Sequence, residues 1–318
     1  MKSSAILTAA AAAALLPSLG LACSSCGCTL NSDWSSQGYT VASGFHLDAR
    51  YDYYDQSELR SGTGTSGAAA VTLPAGQELQ QQTLNRNLIL GLDYAPTRTW
   101  GVNLRVPYYD RPHATIAAGD SEVSESHSRG LGDLQLLARY QGFSNDLGLG
   151  LQFGLKLPTG NFSDRFRSGP QAGQRVDRGL QPGSGTTDLL LGLYTAGSMG
   201  TGFGYFANAL VQQPLAAREG FRPGTGVNLS AGLRYLPQTL RVTPQLQLNV
   251  RVEGRERGPD ADTANSGATF VYLSPGLGFS LHRGLDAFAF VQLPVYQNVN
   301  GLQLEPKLYG SLGLRYRF

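Results

Sequence analysis

From residue 40 to the C-terminus the chain alternates between apolar and polar residues with a period of two. The clearest stretch sets Val242, Pro244, Leu246, Leu248, Val250 and Val252 against Thr243, Gln245, Gln247, Asn249, Arg251 and Glu253. That is a strand with two unlike faces, because successive side chains on a pleated backbone point to opposite sides. Near the N-terminus Phe45, Leu47, Ala49, Tyr51 and Tyr53 alternate in the same way with His46, Asp48, Arg50 and Asp52. Twelve such segments are predicted, at 40–54, 83–95, 99–109, 131–141, 146–157, 186–196, 201–212, 226–236, 241–253, 269–281, 285–295 and 307–318.

The connections alternate in length. Short ones fall at 96–98, 142–145, 197–200, 237–240 and 282–284. Long ones rich in Gly, Ser, Asp and Pro fall at 55–82, 110–130, 158–185, 213–225, 254–268 and 296–306. Short turns on one rim and long loops on the other are the pattern of outer-membrane barrels; a soluble sandwich has no reason to segregate them. The expected fold is all-β, a transmembrane antiparallel up-and-down β-barrel of about twelve strands over 39–318, with both termini on the periplasmic side. Lipid leaves no water for stray backbone groups, so an exported sheet of this kind must close on itself. Tyr94, Trp100, Tyr140 and Tyr235 beside short turns, and Tyr53, Tyr108 and Tyr109 toward the long loops, are expected to form the interfacial girdles.

Met1-Lys2-Ser3-Ser4 followed by an Ala-rich apolar run to Leu21 reads as a signal peptide over 1–22, cut after Ala22. After it no run of 18 apolar residues occurs, so no helical span is expected. The outer membrane of a Gram-negative bacterium follows as the location, with outer-membrane lipid as a partner. The chain stops at Phe318, after Leu308, Gly310, Leu312, Leu314 and Tyr316 on one face. This resembles the terminal signal read by the barrel-assembly machinery, a second expected partner.

Composition adds limits. Only 15% of the 318 residues are charged, and 25 Lys+Arg against 23 Asp+Glu leave a net charge of +2. That is too little for a nucleic-acid footprint. A mean hydropathy of −0.17 suits a soluble protein and a membrane barrel equally, since each strand averages its two faces. No His-Glu-x-x-His or Gly-x-Ser-x-Gly spacing is present, and an enzyme is not expected. His46 with Asp48 lacks an evident Ser partner. His113 and His127, with Asp120, Glu122 and Glu125, read as a solvated loop.

Three stretches carry a family likeness. Gly130-Leu131-Gly132-Asp133-Leu134, Gly154-Leu155-Lys156-Leu157-Pro158-Thr159-Gly160 and Pro182-Gly183-Ser184-Gly185-Thr186-Thr187-Asp188 resemble landmarks of the porin-like family named for the MetA pathway of phenol degradation. The resemblance covers roughly 85–318. It implies an outer-membrane barrel carrying small, sometimes aromatic, solutes, and it supplies no binding residues.

The face opposite the apolar one is expected to line the lumen, with Asp48, Arg50, Asp52, Asp93, Arg105, Asp133, Arg139, Lys156, Asp188, Arg234, Arg251, Glu253, Lys307, Arg315 and Arg317 as its charged members. Phe206, Phe288 and Phe290 share that register, as do Gly148, Gly150, Gly154, Gly192, Gly204, Gly232, Gly276, Gly278 and Gly313, either as room for solute or as bends in curved strands. Two interiors remain open, a wet passage and a cross-linked polar core. Over 23–38 a Cys-rich segment places Cys23, Cys26 and Cys28 within six residues. A soft metal on the three thiols, a disulfide, and lipidation of Cys23 all stay open. No other cofactor is expected. The resulting expectation is passive passage of small solutes through a porin-like transporter. The alternative is a non-conducting barrel that docks a periplasmic redox or metal-handling partner through its Cys-rich end.

Overall fold

In the computed structural model, Gln37 and residues 43–65, 78–237 and 241–318 are described; the segment expected to be a signal peptide and the three cysteines lie outside them. The alternating segments form one antiparallel sheet of β1 (Gly44–Gly62), β2 (Gly64–Thr65), β3 (Leu79–Ala95), β4 (Trp100–Ile116), β5 (Val123–Leu131), β6 (Leu134–Tyr140), β7 (Leu149–Leu157), β8 (Asp188–Met199), β9 (Phe203–Pro214), β10 (Gly226–Tyr235), β11 (Val242–Glu253), β12 (Ala268–His282) and β13 (Leu285–Arg317). Neighbours in the sheet are neighbours in sequence, and β13 pairs back onto β1, so the barrel closes. β5 and β6 both pair with β4, as two parts of one stave interrupted at Gly132–Asp133. The last strand is two staves: residues 285–299 pair with β12, the chain turns at Gly301 (φ 64°), and residues 302–317 pair with β1. Twelve staves therefore surround the axis. No helix among the described residues is long and apolar enough to cross a membrane; this barrel crosses with strands.

The outer wall is apolar. Leu47, Leu90, Leu136, Leu193, Leu248 and Leu312 all expose 45% or more of their surface. Along the last stave the outward face runs from Leu308 to Phe318. Ten steps at ~3.3 Å and a tilt of ~40° give about 25 Å, the height of a typical barrel's lipid band. Tyr94, Trp100 and Tyr235 face outward beside the short turns, and Tyr53 and Tyr108 toward the long loops. Tyr109 does not belong to the girdle. It follows Tyr108 on the same strand, so the pleat turns it inward, where Arg111 lies 5.3 Å from its ring.

Three stretches read as loops from sequence contain strand; residues 55–62 and 79–82 extend β1 and β3. Residues 110–116 and 123–130 continue β4 and β5 beyond the lipid band as a hairpin, and residues 296–306 are ladder except at the Gly301 turn. In the first hairpin Thr115, Ser124, Ser126 and Ser128 are all buried, so the inner face is polar. The outer face at this height mixes Asp110, Glu125, His127 and Arg129 with Pro112, Ala114, Ile116 and Val123, and the contrast that betrays a strand is lost.

The inward glycines do not leave open volume. A Cβ on Gly232 would meet the ring of Phe206, one on Gly276 that of Phe290, and one on Gly313 that of Phe288. Each aromatic lies flat over a glycine of the neighbouring stave, the arrangement that relieves a strand lacking a side chain. These rings, with Tyr54, Phe270, Tyr272 and Tyr309, fill the interior behind β9–β13. The open space lies beside these rings, and Tyr54 borders it.

Candidate functional site

An elongated cavity of about 360 Å³ runs inside the wall formed by β1, β3, β4 and β6–β11. On β4 alone Asn103, Arg105, Pro107, Tyr109 and Arg111 line it in turn. Eight residue steps at ~3.3 Å and a ~40° tilt correspond to about 20 Å along the axis. Of the charged residues expected in the lumen, Asp48, Arg50, Asp52, Asp93, Arg105, Asp133, Lys156, Arg251 and Glu253 line this cavity. Arg139, Arg234 and Arg315 are buried closer to the periplasmic rim. Arg139 is bidentate on Asp93, with His46 Nδ1 3.5 Å from the same carboxylate. Arg315 donates to Gln37 Oε1 at 3.0 Å and stacks on Phe288. Lys307 and Arg317, expected on that face, are instead exposed; Lys307 lies 3.9 Å from Glu58, and Arg317 at the strand end pairs with Asp286 at 3.6 Å. Cys23, Cys26 and Cys28 are not among the described residues, and no group of three metal-ligating side chains occurs within those that are.

The lining charges are paired across adjacent positions. Arg50 Nε is 3.0 Å from Asp52, Arg251 Nη2 2.9 Å from Glu253, and Lys156 Nζ 3.1 and 2.9 Å from Asp133 and Asp188. Pairing is what permits so many charges to leave bulk water. It also leaves the wall locally near neutral, with charge alternating at short range.

The extracellular end is covered by the infolded loop 158–185. Its 3₁₀ turn, Arg178–Leu180, is capped by Asp177, whose side chain accepts from Gly179 N. Arg111 on β4 donates to Gly179 O at 3.0 Å. Arg178 lies between the rings of Phe162 (4.2 Å) and Phe221 (5.1 Å) and donates to Ser184 O. Phe166, Val176 and Leu180 form a small apolar core within the loop. Arg178, Gly179, Gln181 and Ser184 thus roof the cavity. Asp177 is buried with Glu256, Asp262 and Glu78 around it. Burial first, and then the three carboxylates, hold its carboxyl well above the usual carboxylate range.

The three motifs that carry the family resemblance meet at the base of this loop. Asp133 Oδ1 accepts the Gly160 N–H at 3.0 Å. Its Oδ2 accepts from Ser184 N (2.9 Å), Ser184 Oγ (2.7 Å) and Lys156 Nζ (3.1 Å). Asp188 takes the same ammonium, the Thr186 hydroxyl at 2.8 Å and Gln212 Nε2 at 2.6 Å. Gly160 and Gly183 pack backbone to backbone, with no space for a Cβ on either. One carboxylate therefore holds both ends of the loop at the rim of its stave. Sequence reading placed Lys156 on the inner face but gave Asp133, Ser184, Arg111 and Arg178 no joint role. The separate motifs were the only signal.

No protein-family model matches this sequence, and no curated protein matches it. Solved structures do. An outer-membrane channel from Pseudomonas putida F1 aligns over 91% of this chain and 100% of its own, with a TM-score of 0.65 and 11% identity. The translocator domain of the autotransporter NalP from Neisseria meningitidis aligns over 88% and 90%, at 13% identity and a TM-score of 0.47. The Ralstonia pickettii toluene transporter TbuX aligns over 87% and 90%, at 8% and 0.42. The first of these likenesses concerns the fold. That fold is a Gram-negative outer-membrane barrel, and the apolar belt sets it across that membrane.

Proposed function

We propose that this barrel is a narrow passive channel for small, water-soluble solutes of the outer membrane. One observation carries the reading: a charge-lined cavity about 20 Å long beneath an infolded loop, beside a cluster of packed aromatic rings. Likeness in fold to an outer-membrane channel supports it. Paired charges at short range offer a passing solute successive donors and acceptors in place of its hydration, without a deep well for either sign. At the roof Arg111 and Arg178 stand closer to backbone carbonyls than to carboxylates; the nearest to Arg178 is Glu219, at 3.8 Å. That end therefore draws anions weakly.

The family resemblance extends the solute range to aromatic molecules. The lining favours those that also carry charge or several hydrogen-bonding groups, because a bare hydrocarbon would desolvate Arg50, Lys156 and Arg251 without replacing their water. A liposome-swelling panel tests this with glycine, a monosaccharide, benzoate and toluene-sized neutral aromatics. Faster passage of the polar members and of benzoate is expected. Exclusion of every polar solute from vesicles with correctly folded barrel would overturn the reading.

A further inference from the structure

The extracellular crown separates its charges by burial. Loops 158–185, 213–225 and 254–268 together hold eight arginines and six acids, close to balance in sequence. In space they divide. Asp177, Glu256 and Asp262 are buried, whereas Arg178 is the one buried arginine of the three loops. Arg167 turns to the outer wall, where Nη2 donates to His127 O at 3.0 Å. Arg165, Arg175, Arg218, Arg222, Arg255 and Arg257 stay outside, all exposed except the half-buried Arg222, against Asp164, Glu219 and Asp260. Six cations to three acids leave the outward surface of these loops at +3.

These arginines share one continuous surface. Arg165 stands opposite Arg175 in an antiparallel bridge, and Arg222 opposite Arg257. Arg175 and Arg218 meet on Glu219, at 3.0 and 4.0 Å, which joins the first loop to the second; the Arg222–Arg257 bridge joins the second to the third. Like charges directly opposite one another destabilise a strand pair, and this surface holds two such pairs. Arg165, Arg222, Arg255 and Arg257 make no ion pair among the described residues. The first three donate to backbone carbonyls of Gly173, Pro214 and Thr263. The surface lies over the cavity, since the same three loops line it with Arg178, Phe221 and Glu256. At the tip of the neighbouring β4–β5 hairpin the exposed charges are Asp120 and Glu122, so the positive excess belongs to the sector above the cavity.

We propose that this arginine surface is the entry site for small solutes with two or more negative charges, dicarboxylates and phosphate esters, and that it sets the barrel's preference for them. The inference rests on the channel reading above and names its solute class. Guanidinium forks match carboxylate and phosphate oxygens. A surface of one sign at an entrance raises the arrival rate of the opposite charge by about ten- to a thousandfold, and the attraction grows with solute charge. Arg178 connects the surface to the interior: its Nη1 is 3.8 Å from Glu219, and the same residue lines the cavity. Below it the pairs Arg50–Asp52 and Arg251–Glu253 cancel at short range, so a captured dianion meets no second, deeper trap.

The test is influx of succinate and of uncharged erythritol into proteoliposomes of the full barrel at neutral pH. Salt is set at about 20 mM and about 500 mM, between which the Debye length falls from about 20 Å to about 4 Å. In wild type the succinate-to-erythritol ratio is expected to drop at least about fivefold at high salt. R165E/R257E turns the outward charge from +3 to −1; it should lower the ratio about tenfold at low salt and leave erythritol influx as in wild type. R165Q/R257Q should fall between. A ratio indifferent to salt, or equal in wild type and both variants while erythritol enters, would overturn the entry site and leave the channel standing. Exclusion of both solutes by correctly folded wild type would defeat the channel reading and this inference with it. Where R165E/R257E slows both solutes alike, R165Q/R257Q decides, and an unchanged ratio in it overturns the proposal.

Discussion

Replacing Asp133 by Ala releases the roof of the cavity. In the native arrangement one carboxylate, itself only 7% exposed, receives the Gly160 and Ser184 amides, the Ser184 hydroxyl and the Lys156 ammonium. Its removal leaves two backbone donors without an acceptor and half-strips a buried lysine of its counter-charge. Breaking one side of a buried ion pair costs ~3–5 kcal/mol, and each orphaned donor ~1–3 kcal/mol. Asp188 still faces Lys156 at 2.9 Å and water reaches an opened loop, so the lower figure, about 3 kcal/mol, is the better expectation. That shifts the latched-to-released ratio by somewhat more than a hundredfold. The barrel stays folded, since its twelve staves close through backbone ladders that Asp133 does not join. Two assays follow. Trypsin should cut D133A at Arg165, Arg167 or Arg175 while sparing wild type, and conductance per channel should rise. D133A with wild-type trypsin resistance and conductance would refute the latch. D133N, which keeps one acceptor but loses the charge, should lie between.

Other consequences are smaller. Asp177 titrates above its ordinary value of 3.8 because of burial and three neighbouring carboxylates. The closed loop therefore holds a proton that the released loop gives up. This stabilisation is complete below the ordinary value and is lost as pH rises through the raised one; trypsin resistance should fall with rising pH in wild type, while D177N holds it constant. A flat wild-type profile would contradict this. G183A forces a Cβ against the Gly160 carbonyl and should reproduce the trypsin sensitivity of D133A, whereas an unchanged digestion pattern would show that the close approach is slack. R178Q removes a cation from the roof and should move the reversal potential toward cation preference; movement the other way would contradict the weak anion bias. Leu312, 60% exposed on the lipid face, should cost ~2–4 kcal/mol as L312R in urea unfolding from vesicles, and no loss would place that face away from lipid.

The barrel was legible because each membrane stave faces two solvents, lipid and water, and sequence must write both. Where a stave leaves the bilayer that contrast ends, which is why the upper β4–β5 hairpin, with Ser124, Ser126 and Ser128 inside, reads as loop. Residues 302–306 are buried on both faces and fail for the opposite reason. Inward position is likewise a local property of register, so Arg50, Lys156 and Arg251 were assignable to the inner face one strand at a time. The latch was not. Asp133, Gly160 and Ser184 lie 24–51 residues apart, and their meeting depends on how loop 158–185 folds back, which no periodicity encodes. The packing of aromatic rings over inward glycines was equally hidden, because a glycine opposite Phe206 or Phe288 is seen only once register is known.

Single-channel recording of the refolded full barrel in planar bilayers tests the central claim most directly. Small, discrete conductance steps are predicted in wild type, with larger steps in D133A under the same salt. Silent bilayers holding correctly folded wild-type protein, and equally silent ones with D133A, would contradict a water-filled passage beneath the loop.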